Sequence, residues 1–192
     1  MEPQTSTNLS RRHFLSLASL CVTSAAVAAD QPASKRQLEY QLFGDYHNLT
    51  TNLRQGSGVP ATLPEVHRLD AQINFAWGPH GPFGEGGRIG PRFAVRWSGF
   101  LHIPEAGVYT FHLNHTGIAQ LSVEQQRLYS GMQYGLGVGA FATRAFSKDA
   151  WVPFELICAN RQNRSFASLE WSMPGSSQRA LIGPQYFAHL PE

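Results

Sequence analysis

The sequence predicts an all-β domain, an antiparallel β-sandwich or a Greek-key barrel. Hydrophobic residues recur at every second position in several short runs, which is the period of a strand with one buried face. Among 192 residues there are 18 Gly and 12 Pro, a composition typical of a turn-rich fold. No helical period persists beyond a turn or two. The length favours one domain over two.

The clearest strand is predicted over residues 93–103. A Pro-led turn at residues 104–107 leads into a second alternating run at 108–113, which predicts a β-hairpin. The Gly-rich stretch 78–91 lacks the spacing of a phosphate-binding loop and precedes a strand, so we expect a crossover connection there. Further strands are predicted over residues 38–43, 71–77, 118–124, 140–146, 152–158 and 166–171.

An export signal is predicted in residues 1–29. The pair Arg11-Arg12, followed by Phe14 and Leu15 and then by an apolar run, resembles the bacterial twin-arginine signal. In that signal the arginines are read by a receptor and the cargo crosses the membrane folded. The twin-arginine translocase is therefore an expected partner, and the periplasm or the cell surface is the expected location.

The predicted leader ends at Ala28 and Ala29, where small residues fit a cleavage site. A polar linker, residues 30–37, and a β domain, residues 38–190, would follow. The apolar run is shorter than the roughly 20 residues that span a bilayer, so we expect no permanent membrane span. The formal net charge of +2 is too small to predict a nucleic acid partner. The two cysteines lie on either side of the cleavage site, and Cys158 is predicted to be a buried core thiol.

Several stretches of the chain resemble one known family. They are Arg68-Leu69-Asp70, residues 93–99, residues 104–111, the pattern Leu-x-Trp-x-x-Pro-Gly at 169–175, and residues 182–187. Together they are similar to the anthrax protective antigen fourteen-kilodalton (PA14) domain family. This resemblance implies a β-sandwich or barrel module of that type, found in bacterial glycosidases, surface proteins, toxins and yeast adhesins. Members with known ligands mostly bind carbohydrate.

The resemblance also directs attention to Asn114-His115-Thr116-Gly117. Sugar-binding members carry Ser-Asp-Asp-Gly there, and the aspartates hold a calcium ion that ligates the sugar. Calcium prefers about six to eight oxygen ligands, including carboxylates. Because His115 and Thr116 replace the paired aspartates, we expect no calcium and no other cofactor.

Two interpretations of this tetrapeptide stay open. In the first, calcium-independent sugar contacts come from Asn114, His115, Thr116 and Gly117. In the second, Asn114 and Gly117 simply make a turn with His115 in solvent. Tyr134, in the Gly-rich tract 131–139, is the aromatic residue best suited to stack on a sugar ring.

The sequence thus predicts an exported binding module of the cell envelope, most simply for glycans, rather than an enzyme. A structural or adhesion module that binds an envelope protein is the alternative. A small envelope glycoside hydrolase is the third interpretation, although no pair of carboxylates is distinctive. Zinc is not expected, since His112 and His115 are three apart on a strand and point to opposite faces.

Overall fold

A computed structural model describes residues 38–49, 63–133 and 139–191. In these ranges the chain forms two antiparallel β-sheets, which confirms the predicted fold class. The predicted leader, the linker and Tyr134 lie outside the described residues. No helix within the described ranges has the length and apolar character needed to cross a membrane. The strands are β1 Glu39–Tyr40, β2 Leu42–Asn48, β3 Val66–Asp70, β4 Asn74–Trp77, β5 Phe93–Ile103, β6 Gly107–His115, β7 Gly117–Val123, β8 Gln126–Gln133, β9 Ala140–Phe146, β10 Ala150–Asn160, β11 Ser165–Ser172, β12 Ala180–Leu181 and β13 Phe187–His189, with a 3₁₀ turn at Pro184–Tyr186.

The first sheet is built around β5. One edge of β5 pairs with β10 along its whole length, and the other edge is shared by β2 and β13. Gly99 lies where the partner changes, at φ 154°, and a Cβ there would overlap the carbonyl oxygen of Ala188. The change of partner therefore requires glycine. β7 and β8 continue the sheet beyond β10, while β3 pairs with β2 and β1 with β13.

The second sheet is built around β11 in a similar way. β6 pairs with one edge of β11, while β4 and β12 share the other edge, and β9 lies beyond β6. The chain alternates between the sheets at β4 to β5, β5 to β6 and β6 to β7. Residues 78–91 form the first of these connections, as predicted for a crossover. Each of these connections therefore runs from one sheet to the other at an end of the sandwich.

The predicted hairpin at residues 104–107 is wrong. β5 and β6 lie in different sheets and pair with different strands. The connection crosses the sandwich, and Gly107, at φ 143°, lies so close to Pro174 that a Cβ would overlap its ring. Alternation correctly predicted which side chains of both strands are buried, but it carries no information on which strand is the hydrogen-bonded neighbour.

The boundaries of several other strands were also not predicted. β3 has no regular alternation because its two apolar residues, Val66 and Leu69, are three apart. β8 is mostly polar and half-buried, since it lies at the edge of the first sheet. The predicted strand over 71–77 begins only at Asn74, although Ile73 before it is buried.

The core between the sheets contains the alternating residues that the sequence predicted. Trp97 and Trp171 are buried, and Trp97 stacks on Phe75 with ring centroids 5.5 Å apart. Cys158 is a buried thiol, as predicted, and burial raises its pKa well above the ordinary value. The strand residues Phe93, Val95, Trp97, Leu101 and Ile103 all point into this core.

A buried polar cluster is embedded in the core around Asp70. Its Oδ2 accepts hydrogen bonds from Tyr46 Oη at 2.7 Å and from Trp97 Nε1 at 2.8 Å. Its Oδ1 lies 2.7 Å from Arg68 Nε. The Arg68 guanidinium in turn lies over the rings of Tyr46 and Phe83, at 4.7 and 4.9 Å from their centroids. Burial and the adjacent Asp70 raise the pKa of Tyr46, so its hydroxyl stays a donor.

Asp70→Asn is expected to lower the free energy of unfolding by about 3 kcal/mol, because the amide NH₂ group must face either Arg68 or the Tyr46 and Trp97 donors. Urea denaturation measures this loss. Asp149→Asn is the control: Asp149 is 66% exposed in its pair with His102, so the change there should be within about 0.5 kcal/mol. Equal stability of Asp70→Asn and the unmodified protein would contradict a structural role for the cluster.

Candidate functional site

The predicted site tetrapeptide is a corner between the two sheets rather than the tip of a loop. β6 ends in the second sheet with His115 paired to Ala167, and β7 begins in the first sheet with Gly117 paired to Gln133. Thr116 is the single residue between them. The chain therefore changes sheet within one residue.

Gly117 makes this change of sheet possible. Its φ is 74°, and a Cβ would overlap the carbonyl oxygen of Ala159 on β10. Only glycine combines this left-handed conformation with so close an approach of another backbone. The turn role considered for Gly117 is thus explained, whereas Asn114 lies on β6 and takes no part in the turn.

The expectation that His115 is solvated is wrong. The imidazole is fully buried, and its Nε2 lies 3.0 Å from Tyr129 Oη on β8. The side chain points inward because β6 presents alternate residues to the core and His115 shares the register of Leu113. Burial lowers the pKa of His115, while the adjacent backbone of Thr116 and Gly117 acts in the opposite direction.

The four residues of the corner point in different directions. Asn114 faces outward, where its Nδ2 donates to Ser168 Oγ at 3.1 Å. Thr116 is held by the backbone of Phe166, donating through its N–H at 3.1 Å and accepting through Oγ1 at 3.2 Å. Asn114, His115 and Thr116 therefore do not converge on one ligand.

A pocket of about 360 Å³ opens beside Thr116. Of its lining residues, only Thr116 was predicted from the sequence to be a site residue. The loop between β10 and β11 and the start of β11 supply most of the others, and the end of β4 supplies the rest. The lining residues are Ala76, Trp77, Thr116, Gln162, Arg164, Ser165 and Phe166.

The polar wall of the pocket is held in place by Asn160. Its Nδ2 donates to the carbonyl oxygens of Gln162 at 2.6 Å and Pro91 at 3.1 Å, and its Oδ1 accepts from Gln162 N at 3.2 Å. These contacts join the loop between β10 and β11 to the crossover before β5. Hydrogen bonds within the protein therefore hold this wall in place.

The lining offers several hydrogen-bonding groups beside apolar surface. Ser165 is buried, and its Oγ has no hydrogen-bond partner within the part of the chain that the structure describes. Arg164 is exposed and contributes a guanidinium, while Gln162 contributes a carboxamide. Trp77 and Phe166 provide aromatic surface. This mixture is suited to a ligand that has both hydroxyl groups and apolar faces.

The corner does not fit the calcium site that the family resemblance implies. None of the lining residues in the described part of the chain is a carboxylate, and the His115 ring lies within hydrogen-bond distance of Tyr129 Oη. Glu124, the nearest carboxylate along β7, pairs with Arg144. Across residues 38–49, 63–133 and 139–191, no three His, Cys, Asp or Glu side chains are grouped so that they could hold a metal ion.

His115→Gln is expected to reduce the acid sensitivity of the fold. The pKa of buried His115 lies below its ordinary 6.5, so the unfolded state takes up a proton that the native state does not. Stability is therefore lost as the pH falls below about 6.5, by at most about 1.4 kcal/mol per pH unit for one proton.

Urea denaturation at pH about 7.5 and about 5.5 measures this effect. The unmodified protein should lose more stability between the two conditions than His115→Gln, whatever the stability of the variant at the higher pH. His80→Gln, in the exposed crossover, should behave like the unmodified protein. An unchanged difference in His115→Gln would show that His115 does not titrate as a buried group.

Comparison with known proteins places this fold among PA14 domains. Residues 55–130 match the PA14 domain family. The structure is similar to the PA14 domain of the MpAFP antifreeze protein, with a TM-score of 0.64 and 12% identity over 80% of this chain and 92% of that chain. It is also similar to the PA14 sugar-binding domain from an RTX adhesin, with a TM-score of 0.61 and 16% identity over 78% of this chain and 98% of that chain.

A further similar structure is an anti-sigma factor domain-containing protein from Clostridium clariflavum. Its TM-score is 0.65 and its identity 19%, over 80% of this chain. The match spans only 48% of that chain, about half of its length. No curated protein matches the sequence. At these identities the structural similarities establish the fold.

Proposed function

Residues 55–130 belong to a PA14 domain, and from this premise we propose that the protein is a carbohydrate-binding module. Its binding site is the pocket beside Thr116. The observation that carries the proposal is the lining of this pocket, in which Gln162, Arg164 and Ser165 lie next to aromatic surface. The RTX adhesin domain with the same fold is described as sugar-binding.

The volume of the pocket and the hydrogen bonds that hold its wall support this proposal. A sugar ring presents hydroxyl groups at its edge and C–H groups on its faces, so it needs hydrogen-bonding groups beside apolar surface. The volume of about 360 Å³ is at the small end of ligand sites and suits one or two sugar rings. Because Asn160 already fixes the backbone of Gln162, binding does not have to order that part of the loop.

We propose that binding does not depend on calcium. Direct contacts from Gln162, Arg164 and Ser165 would replace the metal, since the lining as far as the structure describes it has no carboxylate to hold a calcium ion. The same lining supports binding rather than hydrolysis. Glycoside hydrolysis needs a pair of carboxyl groups across the scissile bond, and no carboxyl group is found among the described residues that line the pocket.

A glycan array tests the proposed function. Binding is expected in the presence of a chelator, and Gln162→Ala should weaken the strongest interaction about tenfold because one hydrogen-bonding group is removed. The backbone of Gln162, which bonds to Asn160, is unaffected by this substitution. Asn163→Ala is the control, since Asn163 is exposed in the same loop but does not line the pocket.

The outcomes separate the alternatives. Loss of binding in chelator would contradict calcium independence alone. Absence of glycan binding, together with co-purification of an envelope protein, would favour the structural or adhesion module instead. Turnover of a chromogenic glycoside that is lost on replacing one acidic residue would favour the hydrolase.

We further propose that residues 1–29 direct export of the folded domain to the periplasm or cell surface through the twin-arginine translocase. Replacing Arg11 and Arg12 together by lysine should leave the protein in the cytoplasm, because the receptor reads the arginine pair. Cell fractionation measures the distribution. Arg36→Lys, in the predicted linker, is the control and should be exported normally. Unchanged export of the double variant would contradict this route.

A further inference from the structure

The charge of the pocket lining restricts the ligand further than the proposed function does. Arg164 is exposed at the pocket and makes no hydrogen bond or ion pair with any residue that the structure describes. Four of the other described arginines are paired with carboxylates. The pairs are Arg68 with Asp70, Arg96 with Glu155, Arg144 with Glu124, and Arg179 with Glu170.

No acidic side chain is present beside Arg164 among the pocket residues that the structure describes. All the other described lining residues are uncharged, so the part of the lining that the structure describes carries one unpaired positive charge. A calcium site would combine a cation with the carboxylates that hold it, and would present less uncompensated charge to a sugar. In this pocket the positive charge belongs to the Arg164 side chain, which attracts an anion at short range.

The neighbours of Arg164 are suited to bind the sugar ring that carries the anionic group. The buried Ser165 hydroxyl has no partner among the described residues and can donate a hydrogen bond to a ligand. A guanidinium presents several donors in one plane, which matches the two oxygens of a carboxylate or of a sulfate. Arg164 is adjacent to Ser165 in the chain, so an acidic substituent and a ring hydroxyl of one sugar would meet both groups.

We propose that the ligand is an acidic glycan, in which a carboxylate or sulfate group on the sugar binds Arg164. Gln162 and Ser165 bind hydroxyl groups of the same sugar, and Phe166 contacts its apolar face. This inference rests on the proposed carbohydrate-binding function and assigns the chemical class of its ligand. It also assigns Arg164 as the residue that selects charged over neutral glycans.

Isothermal titration calorimetry of the full chain with matched ligand pairs tests the inference. The pairs are oligogalacturonate with its neutral methyl ester, sialyllactose with lactose, and a sulfated galactan oligosaccharide with its unsulfated counterpart. In at least one pair the acidic member should bind about ten times or more tighter than the neutral one, and added salt should weaken that binding. The pair that responds identifies the anionic group as a carboxylate or a sulfate.

Two arginine variants assign the effect to the pocket. Arg164→Gln should reduce the affinity for the acidic ligand about tenfold to one-hundredfold and weaken the binding of its neutral counterpart much less, because only the acidic ligand loses an ion pair. Arg127→Gln removes the same charge from an exposed arginine on β8, outside the pocket, and should bind like the unmodified protein. Because Arg164 has no described partner, its replacement should leave thermal unfolding unchanged.

The results separate this inference from the function on which it rests. Neutral members that bind as tightly as acidic ones would overturn the acidic ligand but leave carbohydrate binding intact. Equal loss in Arg164→Gln and Arg127→Gln would overturn the role of Arg164. If no pair binds, the acidic ligand is overturned, and the glycan array then decides whether the carbohydrate function fails with it.

Discussion

The buried carboxylate of Asp70 is the interaction on which the rest of the structure depends. It lies at the end of β3 and accepts hydrogen bonds from Tyr46 on β2 and Trp97 on β5, so it joins three strands of the first sheet. A buried carboxylate is costly unless its oxygens have partners. Gly44 provides the space for it, since a Cβ there would contact Asp70 Oδ2. The partners and the space must occur together, which specifies how these strands pair.

The same cluster extends to the elements that form the site. Arg68 lies over Phe83, which belongs to the crossover between β4 and β5. Asn48 on β2 also binds this crossover, at the carbonyl of Arg88 and the N–H of Gly90. Asn160 then binds the carbonyl of Pro91. These contacts therefore connect the core with the loop that forms the polar wall of the pocket, and they fix the backbone of that loop at Gln162.

The candidate site was only partly predictable from the sequence. The corner at Asn114-His115-Thr116-Gly117 was identified by its family resemblance, and Thr116 does line the pocket. His115 was expected in solvent because a polar stretch between two alternating runs is typical of an exposed turn. It is buried because β6 extends to His115, which keeps the inward register of Leu113, and the chain changes sheet only at the next residue, Thr116. That change of sheet is set by pairing with distant strands, which local sequence does not contain.

The sequence by itself determined the fold class, the residues of the core and the absence of paired aspartates at the corner. These follow from local properties: a period of two along strands, turn residues between them, and the identity of a few side chains. Only the tertiary structure decided that β5 and β6 lie in different sheets, and that Gln162, Arg164 and Ser165 meet Thr116 from some fifty positions further along the chain. Contacts between distant residues arise from packing and from strand pairing, and both are properties of the folded chain.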